Sequence, residues 1–184
     1  MIILASNSPR RKEILTEFGY DFTVVKSDFA ETEINADPVK TVLEFAKGKA
    51  ESVVKRVHKG DIVIGADTVV YFDGKILGKP KDTFDAVKTL KALSGKIHTV
   101  FTGFAVLSDK IKVLGLDRSE VKFNNLSDEV IAEYVKTGKP MDKAGSYGIQ
   151  DGFPLVERVN GSFYNVIGLP IEKLKPVIDG LISK

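Results

Sequence analysis

The chain has no cysteine, no tryptophan and only two methionines in 184 residues. Without cysteine there are no disulfides, no thiolate metal sites and no thiol nucleophile, which fits a cytoplasmic setting. No apolar run approaches the length that spans a bilayer. The opening MIILASNSPRR places no basic segment ahead of its short apolar run, so it is not expected to act as a secretion signal. Asn160-Gly161-Ser162 fits the glycosylation pattern, but without such a signal the match is read as chance. Charge of one sign is scarce as well. The 27 basic residues are nearly balanced by 25 acidic ones, leaving a formal +2 and a pI near 8.6. A nucleic-acid binder needs a dense basic patch, and these charges are spread along the chain. Neither nucleic acid nor membrane is therefore expected as a partner. A Walker A loop, a dinucleotide fingerprint, a paired-histidine zinc motif and a nucleophile elbow are all missing.

What remains is a composition able to bury a core, with 43% hydrophobic and 28% charged residues. The length suits one domain over residues 1–184. Residues 2–5 read as a buried strand that runs into a helix over about 9–18. Gly19 stops it, and a second strand is predicted over 21–25. An acidic stretch, SDFAETEINAD, precedes Pro38, which opens a long helix with Val39, Val42, Leu43, Ala46, Ala50 and Val53 on its apolar face. DIVIGADTVVYF over 61–72 is strongly β-forming, and Asp73-Gly74 turns it back through Lys75-Ile76-Leu77. A helix is predicted over 82–93, then two paired β segments near 97–107 and 111–123. Ser127 caps a further helix that ends at Gly138-Lys139-Pro140. Strands are predicted near 154–159 and 163–167, and a last helix follows Gly168-Leu169-Pro170. Interleaved helices and strands with hairpins among them predict an α/β fold with a mixed sheet.

Two places carry chemistry. At Ser6-Asn7-Ser8-Pro9-Arg10-Arg11 a strand passes through a polar turn into a helix start, where unpaired backbone N–H groups favour an anion. Ser8 is placed as N-cap and Pro9 at the first helical position. Arg10 and Arg11 oppose the helix dipole, so they either point into water or await phosphate oxygens. In Gly65-Ala66-Asp67-Thr68 a carboxylate interrupts an apolar run. Asp67 then either caps an exposed turn, or serves as a general base or a ligand for a hard cation. If Asp73-Gly74 is a two-residue turn, Thr68 lies opposite Lys79, although a strict pleat puts Asp67 and Lys79 on opposite faces. Lys47, Lys49, Lys55 and Lys139 read as solvated lysines. Glu31 and Glu33 read as loop acids, and His98 as a hydrogen-bonded core histidine. Gln150 either reads a base edge or bonds a turn.

LASNSPRRKEIL, FAKGKA, GADTVV, ILGKP, LSGKIHTV, DKAGSYGIQ and NVIGLPI occur in this order over essentially the whole chain. Together they resemble the Maf family of nucleoside triphosphate pyrophosphatases. The resemblance implies a largely antiparallel mixed sheet flanked by helices, in two lobes around a cleft, often dimeric. It implies hydrolysis between the α and β phosphates with a divalent cation, Mg2+ or Mn2+. Asp67 would activate water. Ser8, Arg10, Arg11, Lys49, Thr68, Lys79 and Gln150 would contact the nucleotide, and Glu31 with Asp67 would hold the metal. Arg10, Thr68 and Gln150 place the chain nearer the branch that prefers dTTP and UTP than the 7-methyl-GTP branch, which carries a bulky residue and a glutamate at the positions of Arg10 and Gln150. An amide offers a donor and an acceptor to a uracil or thymine edge. Asp151 departs from the glycine usual after that Gln, in a segment about one residue shorter than common. The family is also associated with arrest of septum formation, which implies a regulatory alternative with little catalysis.

Overall fold

The computed structural model describes residues 1–31 and 36–183. Glu33 lies outside them. The elements run β1 (Ile2–Leu4), α1 (Pro9–Glu17), β2 (Phe22–Val24), α2 (Pro38–Val54), β3 (Ile62–Phe72), β4 (Lys75–Leu77), α3 (Thr83–Leu93), β5 (Ile97–Leu107), β6 (Lys112–Phe123), α4 (Asp128–Lys136), β7 (Val156–Asn160), α5 (Phe163–Ile167) and α6 (Ile171–Ile182). Short 3-10 turns cover Lys139–Asp142 and Ala144–Ser146. The strands form one seven-stranded sheet in the order β2-β1-β3-β5-β6-β7, with β4 also on β3. β1 is parallel to β2 and β3, and every other pairing is antiparallel.

β3 organises the molecule. One edge pairs with β5 along almost its whole length. On the other edge Ile62–Ile64 pair with β1 and Val70–Phe72 pair with β4. Among the described residues no strand covers Gly65–Val69 between them. The sheet therefore opens along one side of β3, where β1 departs into α1 and β4 departs toward α3.

Alternation along β3 sorts its side chains to two faces. Val63 faces α2 and packs with Ile3, Ala46, Ala50, Val53 and Ala105. Ile64 and Ala66 face α1 and α6 and pack with Ile14, Leu15, Leu174 and Ile178. Further along, Val70 belongs to a third cluster with Leu90 and Leu93 of α3, Ile131 and Tyr134 of α4, and Phe123. The first two clusters, on the two faces of the sheet, build one lobe, and the third builds the other, on either side of the open stretch of β3. No helix among the described residues is long and apolar enough to cross a membrane.

Two local expectations need correction. Residues 163–167 are helical, despite a β-forming composition. Ser162 accepts the Asn165 N–H at 3.0 Å, and the buried Asn165 amide donates to the Val100 carbonyl and the Ser119 hydroxyl. A cap and a buried amide with fixed partners outweigh strand propensity there. The β3–β4 hairpin has the predicted register, with Phe72 opposite Lys75, but pairing stops at Val70 opposite Leu77. Lys79 lies beyond the ladder, on the loop that leaves it.

Candidate active site

A cleft of about 590 Å3 lies over the open edge of β3. Its wall includes Ser6, Ser8, Arg10, Arg11, Glu31, Lys49, Asp67, Thr68, Lys79 and Gln150. Every residue singled out for the site thus comes to one cavity, of a size that suits a small ligand. The residues come from six separate places in the chain, and the opening in the sheet is what they share.

Asp67 and Thr68 are neighbours on β3 and point to opposite faces. Asp67 faces α2, where its Oδ1 lies 2.6 Å from the Lys49 ammonium. The approach is close because the sheet carries glycine under that helix. A Cβ at Gly65 would lie 2.3 Å from the Ala46 carbonyl oxygen, and one at Gly103 would lie 2.6 Å from the Val42 carbonyl oxygen. Gly103 pairs directly with Asp67 across the ladder. Lys49 also meets Glu31 Oε1 at 2.7 Å, so one ammonium joins both carboxylates. Read alone as a solvated helix lysine, Lys49 is instead held inward by these two acids.

The carboxylates are tuned in opposite directions. Burial pushes the Asp67 pKa up, and the positive charges of Lys49 and Arg11 offset that only in part. Burial also acts upward on Glu31, but the hydrogen bond and charge of Lys49, with Lys79 and Arg11 nearby, hold it below its ordinary value. Asp67 is the acid whose proton affinity moves toward neutrality, as a general base requires.

Thr68 faces α1. Its hydroxyl lies 3.2 Å from Arg11 Nη2 and 2.9 Å from the Thr102 hydroxyl. Arg11 also donates through Nε to the Gly168 carbonyl at 2.8 Å and through Nη1 to the Ser6 hydroxyl at 3.2 Å. This guanidinium is buried, and burial lowers its pKa against the opposing pull of Asp67. Its ordinary pKa is so high that it keeps its charge. Three of its N–H groups are engaged with the protein, which leaves two for a ligand.

Arg10 behaves differently. Its Nη1 meets Asp142 Oδ2 at 2.7 Å, so it reaches across the cleft to the turn after α4. Ser8 stands at the N-cap with extended backbone, but its side chain makes no cap hydrogen bond. The Ser8 N–H instead donates to the Ser6 hydroxyl at 3.2 Å. Lys79 is exposed at the cleft edge, on a loop tied down by the Gly145 N–H to the Gly78 carbonyl at 3.0 Å.

His98 is a core residue as expected, with Nε2 2.7 Å from the Tyr147 hydroxyl, and burial lowers its pKa to about 4. Lys139 is not simply solvated: its ammonium donates to the Asp151 carbonyl at 3.0 Å. Asp142, Lys143 and Tyr147, to which the sequence alone gives no role, also line the cleft. The signal was present in DKAGSYGIQ, whose charged pair sits beside a glycine-rich turn.

The chain matches the family model described as Maf-like protein over residues 1–181. It belongs to the Maf family. This Maf chain is 49% identical over 178 residues to the dTTP/UTP pyrophosphatase of Clostridium novyi (strain NT), covering 94% of this chain and 93% of the relative. It is 50% identical over 173 residues to the dTTP/UTP pyrophosphatase of Thermococcus onnurineus (strain NA1), covering 94% and 93%. The relative named dTTP/UTP pyrophosphatase in Aquifex aeolicus (strain VF5) is 49% identical over 178 residues, covering 96% and 93%. Among solved structures, a HAM1 protein from Coxiella burnetii superposes with a TM-score of 0.54 over 97% of this chain and 98% of that one, at 15% identity. That likeness extends to the fold.

Proposed function

We propose that this Maf protein is a nucleoside triphosphate pyrophosphatase that hydrolyses dTTP and UTP to the monophosphate and pyrophosphate. It would act as a single catalytic unit over residues 1–184, clearing the cytoplasmic nucleotide pool as a homodimer. The observation that carries the reading is one buried carboxylate, Asp67, in the wall of a cleft lined by Arg10, Arg11, Lys49 and Lys79. Relatives about half identical over almost their whole length are named for this activity.

The chemistry follows from the placement. A water oxygen forms a new bond to phosphorus at the α–β anhydride, the bridging P–O bond breaks, and pyrophosphate leaves. Asp67 takes the proton from the attacking water. The free N–H groups of Arg11, together with Arg10, Lys49 and Lys79, face the charge on the phosphate oxygens, and most of the acceleration is positioning and charge stabilisation. The open edge of β3 lets phosphate approach Asp67 and Thr68 together. Gln150 offers an amide to a pyrimidine edge.

The donor set suits a divalent cation. Glu31 and Asp67 already converge on one positive charge, the Lys49 ammonium. Among the described residues no group of three or more acidic, histidine or cysteine side chains could hold a metal. Two carboxylates completed by substrate phosphates is the arrangement Mg2+ ordinarily takes. Bound there, the cation would neutralise phosphate charge. A protein that only bound nucleotide to regulate septum formation would have no use for a buried carboxylate with raised proton affinity among its phosphate donors.

The deciding experiment is pyrophosphate release from dTTP, UTP, CTP, ITP and 7-methyl-GTP with Mg2+ or Mn2+, with and without EDTA. Release from dTTP and UTP above the others, abolished by EDTA, is expected. Release from none of them, with dTTP still bound, would overturn the proposal.

A further inference from the structure

One buried ionic cluster is left unused by this chemistry. It lies in the second lobe behind the loop 147–151. Lys143 is 8% exposed, and its ammonium donates to the Lys139 carbonyl at 2.6 Å and to Asp142 Oδ1 at 2.9 Å. Its third neighbour is Asp151 Oδ2 at 3.4 Å. The same Asp151 oxygen accepts the Tyr134 hydroxyl at 2.7 Å, and that hydroxyl accepts the Gly148 N–H at 2.9 Å. Tyr134 is fully buried in the core of α3 and α4, so the cluster is anchored to rigid packing. Gly148 fits only because it lacks a side chain: a Cβ there would lie 2.7 Å from both Asp151 Oδ2 and Lys143 Cε.

Burying an ammonium and a carboxylate is costly unless each is well partnered. Here Tyr134 and Lys143 both meet Asp151, and Tyr134 also holds the Gly148 N–H, so these contacts bracket Gln150, which lines the cleft. The ammonium of Lys143 hydrogen-bonds two protein oxygens and pairs with Asp151, so it is engaged with this cluster. The same cleft is also lined by Val70, Val100 and Tyr147 of the second-lobe core. Apolar side chains beside an amide suit a neutral heteroaromatic ring.

We propose that Tyr134, Asp151 and Lys143 are positioning residues that clamp the 147–151 loop and so hold Gln150 in register with the nucleobase. The inference rests on the nucleotide reading above. Asp151, which meets both the Tyr134 hydroxyl and the Lys143 ammonium, is on this account the keystone of the clamp.

The test separates base from phosphate by using two probes. The affinities of a non-hydrolysable dTTP analogue and of inorganic tripolyphosphate are measured by calorimetry for the wild type, Tyr134→Phe and Asp151→Asn. Removing one hydrogen bond to a buried charged group should weaken dTTP-analogue binding about tenfold. Tripolyphosphate binding should change less than twofold, and the preference for dTTP over CTP in KM should narrow while kcat holds. Equal losses for both probes would mean general loosening of the fold and would overturn the proposal. Unchanged dTTP-analogue affinity in a folded variant would do the same. Asp151→Asn keeps an acceptor for Tyr134 but loses the charge facing Lys143, so it reports even if Tyr134→Phe fails to fold. Binding is read without turnover, so a wild type that releases no pyrophosphate would sink the activity alone and leave the clamp to be judged on these affinities.

Discussion

Asp67 sits where burial and two nearby cations oppose each other. Burial prevails, so its folded pKa lies above the ordinary aspartate range. For an acid raised in this way, the folded chain keeps a proton that the unfolded chain has already released. Its contribution to stability is therefore full below the unfolded pKa and is lost as pH rises through the folded one. Activity runs the opposite way, because a base must be unprotonated. The acid limb of kcat/KM is expected above the ordinary carboxylate range, and Asp67→Asn should remove that limb and lower kcat by roughly 100-fold or more. Nucleotide affinity should be largely kept, since Arg10, Arg11, Lys49 and Lys79 remain to meet the phosphates and Glu31 remains for the cation. Near wild-type kcat in the variant would give the base role to another group.

At the scale of elements, the site depends on how closely α2 lies on the sheet. Gly65 and Gly103 leave room for the helix backbone, and this brings Lys49 within ion-pair distance of Asp67. Gly65→Ala puts a methyl group against the Ala46 carbonyl and must push the helix away. Overpacking of this kind costs about 1–3 kcal/mol of stability. A shift of the wall that carries Lys49 should also lower kcat on the order of 10- to 100-fold. Denaturant unfolding and steady-state kinetics on the one variant test both. Loss of stability with kcat intact would show that Lys49 follows Asp67 without needing the helix in place.

At the scale of the molecule, Arg10 on α1 reaches Asp142 across the cleft, so the two lobes are already bridged by an ion pair. A triphosphate that engages Arg10 and Lys79 together adds a second bridge. Asp67→Asn with dTTP at about 100 times its Kd should gain roughly 2.7 kcal/mol, which for a chain of this size raises Tm by about 5–10 °C. Differential scanning fluorimetry reads it directly, and dTMP should give a much smaller shift because it lacks the β and γ charges. An equal shift with dTMP would place the main binding energy on the base side.

Much of this was determined locally by the sequence. Strand and helix periods placed nearly every element. Asp73-Gly74 set the hairpin register, since both residues adopt the positive φ that such a turn needs. The seven motifs carried the family, and the residues they singled out all line the one cleft. Residues 163–167 look like a strand by composition, but their helix is held by the buried Asn165 amide, whose partners on β5 and β6 lie more than 40 residues away. What the tertiary structure alone decided was how the charges divide. Arg10 and Arg11 are adjacent and identical in sequence, yet one is buried against Thr68 and Gly168 while the other spans the cleft to Asp142. Lys49 reads as an ordinary helix lysine until two glycines on neighbouring strands let its helix down onto Asp67. Such roles depend on burial and on partners distant in sequence, and only the packed sheet brings those together.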